Sequence, residues 1–233
     1  MSTILVIAAH PDDEILGVGA TIASRVAAGD TAYAVILGEG QTSRVDHREE
    51  MAASVIEELH KDTLAAAKHI GFKEVFFENV PDNRFDQLDL LDVVKKVEKI
   101  IEKVKPEVIY THHKGDLNID HRITYQAVLT ATRPMQNCPI KAIYTFETVS
   151  STEWNFAYGE NQFKPNVFVD VEATFEKKLS AMKEYRTELC EFPHPRSLKC
   201  LEVTAQKWGS VVGKNYAEPF ELLREVFTYS NPL

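Results

Sequence analysis

The sequence predicts an α/β fold: a Rossmann-like, mostly parallel sheet flanked by helices, with an elaborated C-terminal part. Three observations predict it. Short apolar runs rich in β-branched and aromatic residues, TILVIAA (3–9), TAYAVIL (31–37), EVFFE (74–78) and EVIYTHH (107–113), alternate with longer stretches of helical spacing. Those runs are apolar on both faces, as strands buried between two helical layers must be. The length of 233 residues, 44% of them hydrophobic and 26% charged, suits a single domain spanning 1–233 with a substantial core.

The first run opens the chain. No basic segment precedes it and acidic residues follow at once, so it reads as a core strand and not as a secretory signal. EILGVGATIASRVAAG (14–29) is the next helix, and its glycines lie inside the helical stretch. A dinucleotide-binding turn would place them directly after the strand, so here they permit close packing of helix on sheet. After the second strand comes a polar loop (38–44), then two helices over roughly 46–59 and 62–70, the second closed by Gly71 in the C-cap place. EVFFE leads through the loop NVPDNRFD (79–86) to a helix, LDLLDVVKKVEKIIEKVK (88–105), stopped by Pro106. Its Lys and Glu residues have the i,i+4 spacing of an exposed face. Beyond residue 140 the rhythm changes to two strands, AIYTFETV (142–149) and NVFVDV (166–171), a helix over about 173–185, the irregular TELCEFPHPRS (187–197) and a helix over about 198–212. The sequence contains no internal repeat, low-complexity tract or linker.

Composition excludes several function classes. Lys and Arg total 26 against 35 Asp and Glu, a formal net charge of −9, which disfavours nucleic acid as a partner. No apolar stretch approaches the roughly 20 residues of a membrane span, so a cytoplasmic location is expected. Three cysteines, Cys138, Cys190 and Cys200, without CxxC spacing read as reduced thiols in packing roles.

The chemistry is concentrated in AHPDDE (9–14), directly after the first strand, and in THHKGDLNIDH (111–121), after EVIYTHH. In open α/β sheets ligands gather at the carboxyl ends of the strands, so both loops should share one rim. Clustered carboxylates repel one another unless something positive sits among them. A catalytic zinc takes three protein ligands from imidazole and carboxylate and keeps a position for water. His10 and Asp13 supply two of these within one turn, and His121, at the start of a helix, supplies the third. Asp12 then stays free to hold the water and accept its proton.

AHPDDE followed by a helix carrying LGVGA, with the distal NIDH, closely resembles the PIG-L/LmbE superfamily of zinc-dependent N-acetylglucosamine deacetylases. The PDNRFD loop and YAEPF (216–220) also resemble family blocks, so the likeness spans most of the chain. It implies zinc at His10, Asp13 and His121, with Asp12 as general base. It further implies a small-molecule amino-sugar substrate whose acetyl group is released, and it is compatible with a homo-oligomer; a His2Asp site also accepts other divalent ions. Two places depart from the family pattern. Asn118 stands where the family often has a histidine, and His60 stands near a frequent arginine.

FPHPRS (192–197) offers replacements: His194 as a second catalytic acid, oriented by Asp120, and Arg196 as a partner for the developing negative charge or for a phosphate on the substrate. Asn118 and Asp120 are also read as substrate contacts on the rim, with Asp116 beside them. Asp120 serves equally as an N-cap, and a proline-bounded solvent-facing loop accounts equally for His194 and Arg196. One at most of His112 and His113 is expected to face the pocket. Arg44, His47 and Arg48 read as a solvated helix start within reach of substrate, and Asp82, Asn83 and Arg84 as a turn able to touch it. Two rival functions remain: a non-catalytic metal-dependent sugar-binding or scaffolding protein, and an amidase for a thiol-sugar conjugate. Asp12, a free base beside the metal ligands, speaks against the first.

Overall fold

Strand β1 (Thr3–Ala8) is an interior strand of a seven-stranded sheet of order β3-β2-β1-β4-β5-β7-β6 in the computed structural model, which describes residues 1–42, 53–136, 138–156 and 158–227. Strands β2 (Thr31–Gly38), β3 (Glu74–Val80), β4 (Val108–His112) and β5 (Ala142–Phe146) run parallel to β1. Strand β7 (Ala217–Glu225) pairs antiparallel with both β5 and β6 (Val167–Asp170). The sheet is therefore mostly parallel, with an antiparallel C-terminal edge.

Alternation along the strands sorts side chains into two cores, as a period of two requires. Leu5, Ile7, Val35, Leu37, Ile109 and Ile143 face helices α3 (Leu90–Val104) and α4 (Ile119–Ala131). Ile4, Val6, Ala34, Tyr110 and Phe146 face the other layer, made by α1 (Asp13–Ala27), α2 (Ala53–Ile70), α5 (Phe175–Glu184) and α6 (Leu198–Val211). Each fully buried Ile, Leu or Val contributes about 1.5–3 kcal/mol relative to exposure. The close approach of α1 needs Gly17, because a Cβ there would overlap the ring of Phe146.

Two sequence expectations are corrected. In place of separate helices over 46–59 and 62–70, the described part is one continuous helix, α2; Leu59, Thr63, Ala66, Ala67 and Ile70 keep one buried face and no glycine or proline interrupts it. Residues 43–52, with Arg44, His47 and Arg48, lie outside the described residues. The second correction is β7, which the sequence showed only as the YAEPF block. Its AEPFELLRE carries proline and three acids, a composition that hides a strand, yet it fills the sheet between β5 and β6. Among the described residues, no helix is long and apolar enough to cross a membrane.

The chain crosses from β1 to β2 on one side, and later enters β4 on the other. The carboxyl ends of β1 and β4 thus flank the point where strand order reverses, which is where open α/β sheets form their ligand crevice.

Candidate active site

After β1 the chain turns through His10 and Pro11, and Asp12 takes φ 99° and ψ −29°. That left-handed conformation is strained for a residue with a Cβ, and such strain collects at functional sites. Asp12 occupies the N-cap place of α1 but makes no side-chain capping bond, so a capping role does not account for it. Its own N–H donates to Glu14 Oε2 at 3.1 Å, and Glu14 Oε1 accepts from the hydroxyl of Tyr185. Burial pushes the Glu14 carboxyl up to about 7.

His10, Asp13 and His121 come together as one cluster of potential metal donors. His10 Nδ1 is 3.2 Å from His121 Nε2 and 3.5 Å from Asp13 Oδ2, and His121 Nε2 is 3.3 Å from Asp13 Oδ2. A tetrahedral ion with bonds of ~2.0–2.1 Å separates its donors by about 3.3–3.4 Å, so the triangle has the size that zinc requires. Two imidazoles and a carboxylate are also the donor types that suit such an ion.

The far side of each imidazole is held by a carboxylate. His10 Nε2 lies 3.0 Å from Asp120 Oδ2 and 3.2 Å from Asp82 Oδ1. His121 Nδ1 lies 3.1 Å from Asp116 Oδ1, off the line of a good hydrogen bond. Asp116 is itself gripped by the hydroxyls of Ser151 and Thr152. Carboxylates behind ligating histidines fix the ring orientation and raise ligand basicity. His112 lies buried against His121. Its Nε2 accepts the N–H of Ala9 at 2.9 Å, its ring stacks on His121 at 3.9 Å between centroids, and Nδ1 lies 3.3 Å from the Thr148 hydroxyl.

Charge is strongly redistributed in this cluster. Burial opposes protonation of His121, but Asp13 and Asp116 outweigh it and lift the imidazole to about 9. His10 is likewise raised, burial being overcome by Asp120, Asp13 and Asp82. Burial and the neighbouring His121 push His112 down to about 4, which agrees with an Nε2 that accepts a hydrogen bond. Asp12 is raised well above the ordinary carboxylate range by burial and by Asp13 and Glu188, with Arg196 opposing. Without a metal, protons on His10 and His121 supply the positive charge that the carboxylates demand; a bound cation displaces them.

A cavity of about 250 Å³ opens above the cluster, lined among others by His10, Asp12, Asp13, Asn83, Asn118 and Arg196. Asn118 is the N-cap of α4: its Oδ1 accepts from Asp120 N–H at 2.8 Å and its Nδ2 donates to Asn83 Oδ1 at 3.0 Å. The capping role weighed for Asp120 therefore belongs to Asn118. Arg196 reaches Asp12 Oδ2 at 3.2 Å and Glu188 Oε2 at 2.9 Å, so the guanidinium is committed to two carboxylates.

Three expectations differ from what is observed. Asp120 is fully buried against His10 and the N–H groups of Asn83 and Phe85, is not among the residues that line the cavity, and makes no contact with His194. His194 is not among the cavity-lining residues; its Nδ1 accepts the N–H of Arg196 at 3.1 Å and its ring meets Trp154. Asp116 lies under His121 and away from the rim. The Asx-turn in GDLN, in which Asp116 accepts the N–H of Asn118 at 2.9 Å, was the available signal. Of His112 and His113, it is His112 that packs against the cluster, which fits the expectation of one at most; Glu188 is a site residue that no local sequence signal marks. His113 bonds Glu221 and Asn161, and His60 stacks on Phe77, both away from the cavity.

Known proteins share this arrangement of chain. Residues 5–132 match the family model for PIG-L, GlcNAc-PI de-N-acetylase. The uncharacterized deacetylase YaiS of Escherichia coli is 32% identical over 190 residues, covering 79% of this chain and 90% of its own. Diacetylchitobiose deacetylase of Thermococcus kodakarensis is 25% identical, with 98% and 86% covered. The solved N,N'-diacetylchitobiose deacetylase of Pyrococcus horikoshii superposes with a TM-score of 0.77 at 20% identity, covering 99% of this chain and 87% of its own. GalB of Pseudomonas putida, a 4-carboxy-2-hydroxymuconate hydratase, superposes with a TM-score of 0.76 at 20% identity over 99% of both chains. The last likeness shows that this fold alone does not name a reaction. The family model spans more than half of the chain, and YaiS is alike over most of it: the chain belongs to the PIG-L family, whose model is GlcNAc-PI de-N-acetylase.

Proposed function

We propose that this protein is a zinc-dependent hydrolase that removes the acetyl group of an N-acetylated amino sugar. One observation carries the reading: three donors at tetrahedral spacing stand on a cavity floor beside Asp12, a carboxylate used neither as donor nor as helix cap. A purely structural metal site has no need of that fourth group. Diacetylchitobiose deacetylase, among the relatives, supplies the substrate class.

His10, Asp13 and His121 would hold the ion, with Asp120, Asp82 and Asp116 fixing the imidazoles from behind. When bound, the ion supplies Lewis acidity to the amide carbonyl and the attacking water. Asp12 takes the proton from that water and returns it to the departing nitrogen, so that acetate and a free amine leave together. Arg196 holds Asp12 Oδ2, which leaves the other carboxylate oxygen for the proton. Thr148, Ser150, Asn83 and Asn118 are among the lining residues and would offer hydroxyls and amides to sugar hydroxyls.

The test is acetate release from a panel of N-acetylated amino sugars, free and nucleotide-linked, by zinc-loaded wild type beside Asp12→Ala. Wild type should turn over at least one member, and the variant should lose about 10²–10⁴-fold in kcat, as for removal of a general base, with zinc content unchanged. A wild type that binds zinc and releases no acetate from any member, or a variant as active as wild type, would refute the assignment.

A further inference from the structure

Two buried acids beside Asp12 belong neither to the donor triangle nor to the carboxylates behind the imidazoles: Glu14 and Glu188. Both repel the Asp12 carboxylate, so charge balance does not explain them. Their hydrogen bonds do. Glu14 Oε2 accepts the N–H of Asp12 at 3.1 Å. Glu188 Oε2 accepts from Arg196 Nη1 at 2.9 Å, and the same nitrogen donates to Asp12 Oδ2 at 3.2 Å. One acid thus holds the backbone of Asp12, and the other, through the guanidinium, holds its side chain.

Both relays start from one turn. Helix α5 ends at Glu184, and the N–H groups of Glu188 and Leu189 close on the carbonyl of Tyr185 at 3.1 and 3.0 Å, which fixes Tyr185 and Glu188 relative to each other. The hydroxyl of Tyr185, a fully buried residue, donates to Glu14 Oε1. Gln41 Nε2 donates to Glu188 Oε1 at 2.8 Å and steadies that acid from another side. Arg186, between the two, donates to Glu58 and Asp62 of α2; those bonds lead away from Asp12.

Asp12 needs such a grip. At φ 99° a residue with a Cβ is strained, and it keeps that conformation only where its surroundings over-determine it. The sharing of Nη1 matters as well. An arginine facing a single carboxylate commonly takes both oxygens with its fork. Here Glu188 takes one hydrogen of Nη1 and Asp12 Oδ2 the other, which leaves the second oxygen of Asp12 for the attacking water. We propose that Tyr185 and Glu188 are positioning residues for the deacetylation, aiming the Asp12 carboxylate through Glu14 and Arg196. The inference rests on the reading of Asp12 as the general base.

Kinetics with and without Asp12 test it. Acetate release from N-acetylated amino sugars, N-acetylglucosamine and N,N'-diacetylchitobiose among them, gives kcat and KM for zinc-loaded Glu188→Ala, Glu188→Gln and Tyr185→Phe on the sugar that wild type turns over fastest. Glu188→Ala and Tyr185→Phe should each lower kcat about tenfold with KM within about twofold of wild type, the pattern of a misaimed group that binds no substrate. Glu188→Gln, which keeps an oxygen for Arg196, should retain most of the rate. Added to Asp12→Ala, neither Glu188→Ala nor Tyr185→Phe should lower the residual rate further, because the group they aim is gone. Zinc affinity, measured by competition with a chelator, should stay at the wild-type value, and Arg186→Ala should leave kcat unchanged. A wild-type kcat in Glu188→Ala or in Tyr185→Phe, a further fall in the Asp12→Ala background, or an equal fall in Arg186→Ala overturns the inference and leaves the deacetylase reading standing. So does a loss of zinc affinity in step with the rate, which would assign both residues to the metal site. A wild type that releases no acetate from any of the sugars refutes the deacetylase reading, and this inference with it.

Discussion

Two groups of buried charge flank helix α1, and they differ in how far they are satisfied from within. Deep under the helix, Lys178 and Glu218 pair at 2.6 Å. Glu218 also accepts the N–H groups of Ala20 and Thr21, and Lys178 donates to the carbonyl of Leu16. One cation meets one anion and each finds further partners in the backbone. At the N-terminal end of α1, by contrast, Asp12, Asp13, Asp82, Asp116 and Asp120 crowd around His10 and His121, and the cluster opens to a cavity. The first arrangement is complete without any ligand. The second keeps an excess of carboxylates even with both histidines protonated and Arg196 on Asp12, and a bound cation reduces that excess, which is what distinguishes a site from a structural ion pair.

The largest effect that tests this contrast is expected at the complete pair. Lys178→Met leaves the Glu218 carboxylate buried without its cation and should destabilise the fold by about 3–5 kcal/mol, whereas Lys178→Met with Glu218→Leu should recover most of that loss. Urea unfolding measures both, and zinc uptake by whatever remains folded should match wild type. A single variant as stable as wild type would show that the pair is not closed in the way described.

The open cluster should answer to the opposite measurement. Asp120→Asn keeps an oxygen for one of the N–H groups of Asn83 and Phe85 but weakens the partner of His10 Nε2. Zinc affinity, measured by competition with a chelator, should fall about 10–100-fold, the usual consequence of losing a carboxylate behind a ligating histidine. Stability of the metal-free protein should change far less than in Lys178→Met. If zinc affinity does not move, Asp120 serves only to hold the loop after β3.

The same contrast separates what the sequence discloses from what it conceals. His10, Asp12 and Asp13 are neighbours in the chain, so their chemistry is written locally. His121 is tied to them by the strand-end rule, which depends only on the order of strands and helices. Glu218, on the other hand, meets Ala20 across 198 residues, and its strand looks like a loop because an inward-facing glutamate follows no apolar alternation. The pairing of Arg196 with Asp12, and of Trp154 with His194, likewise joins segments whose mutual approach no periodicity encodes. Periodicity reports which face of an element is buried; it does not report which polar group on a distant element meets it. The split expected within α2 failed for a related reason: His60 and Lys61 look like an interruption in a pattern of one face, while the buried face continues through Leu59 and Thr63.

Asn118 should give the smallest effect and the finest discrimination. It ties the two sides of the cavity floor together, capping α4 through Oδ1 and reaching the loop after β3 through Nδ2. Replacing an N-cap asparagine by alanine costs about 0.5–2 kcal/mol. Because His121 is only the third residue of α4, fraying of that first turn should reach the metal ligands, and Asn118→Ala should weaken zinc binding by less than Asp120→Asn does. Asn118→Asp divides the two bonds, since a carboxylate caps the helix and favours its positive end but cannot donate to Asn83. Thermal unfolding close to wild type in Asn118→Asp, beside a clear loss in Asn118→Ala, would assign the residue to the helix start. Equal losses in both would assign it to the bridge, and would mean that the asparagine is retained for its amide at a place where the family pattern often has a histidine.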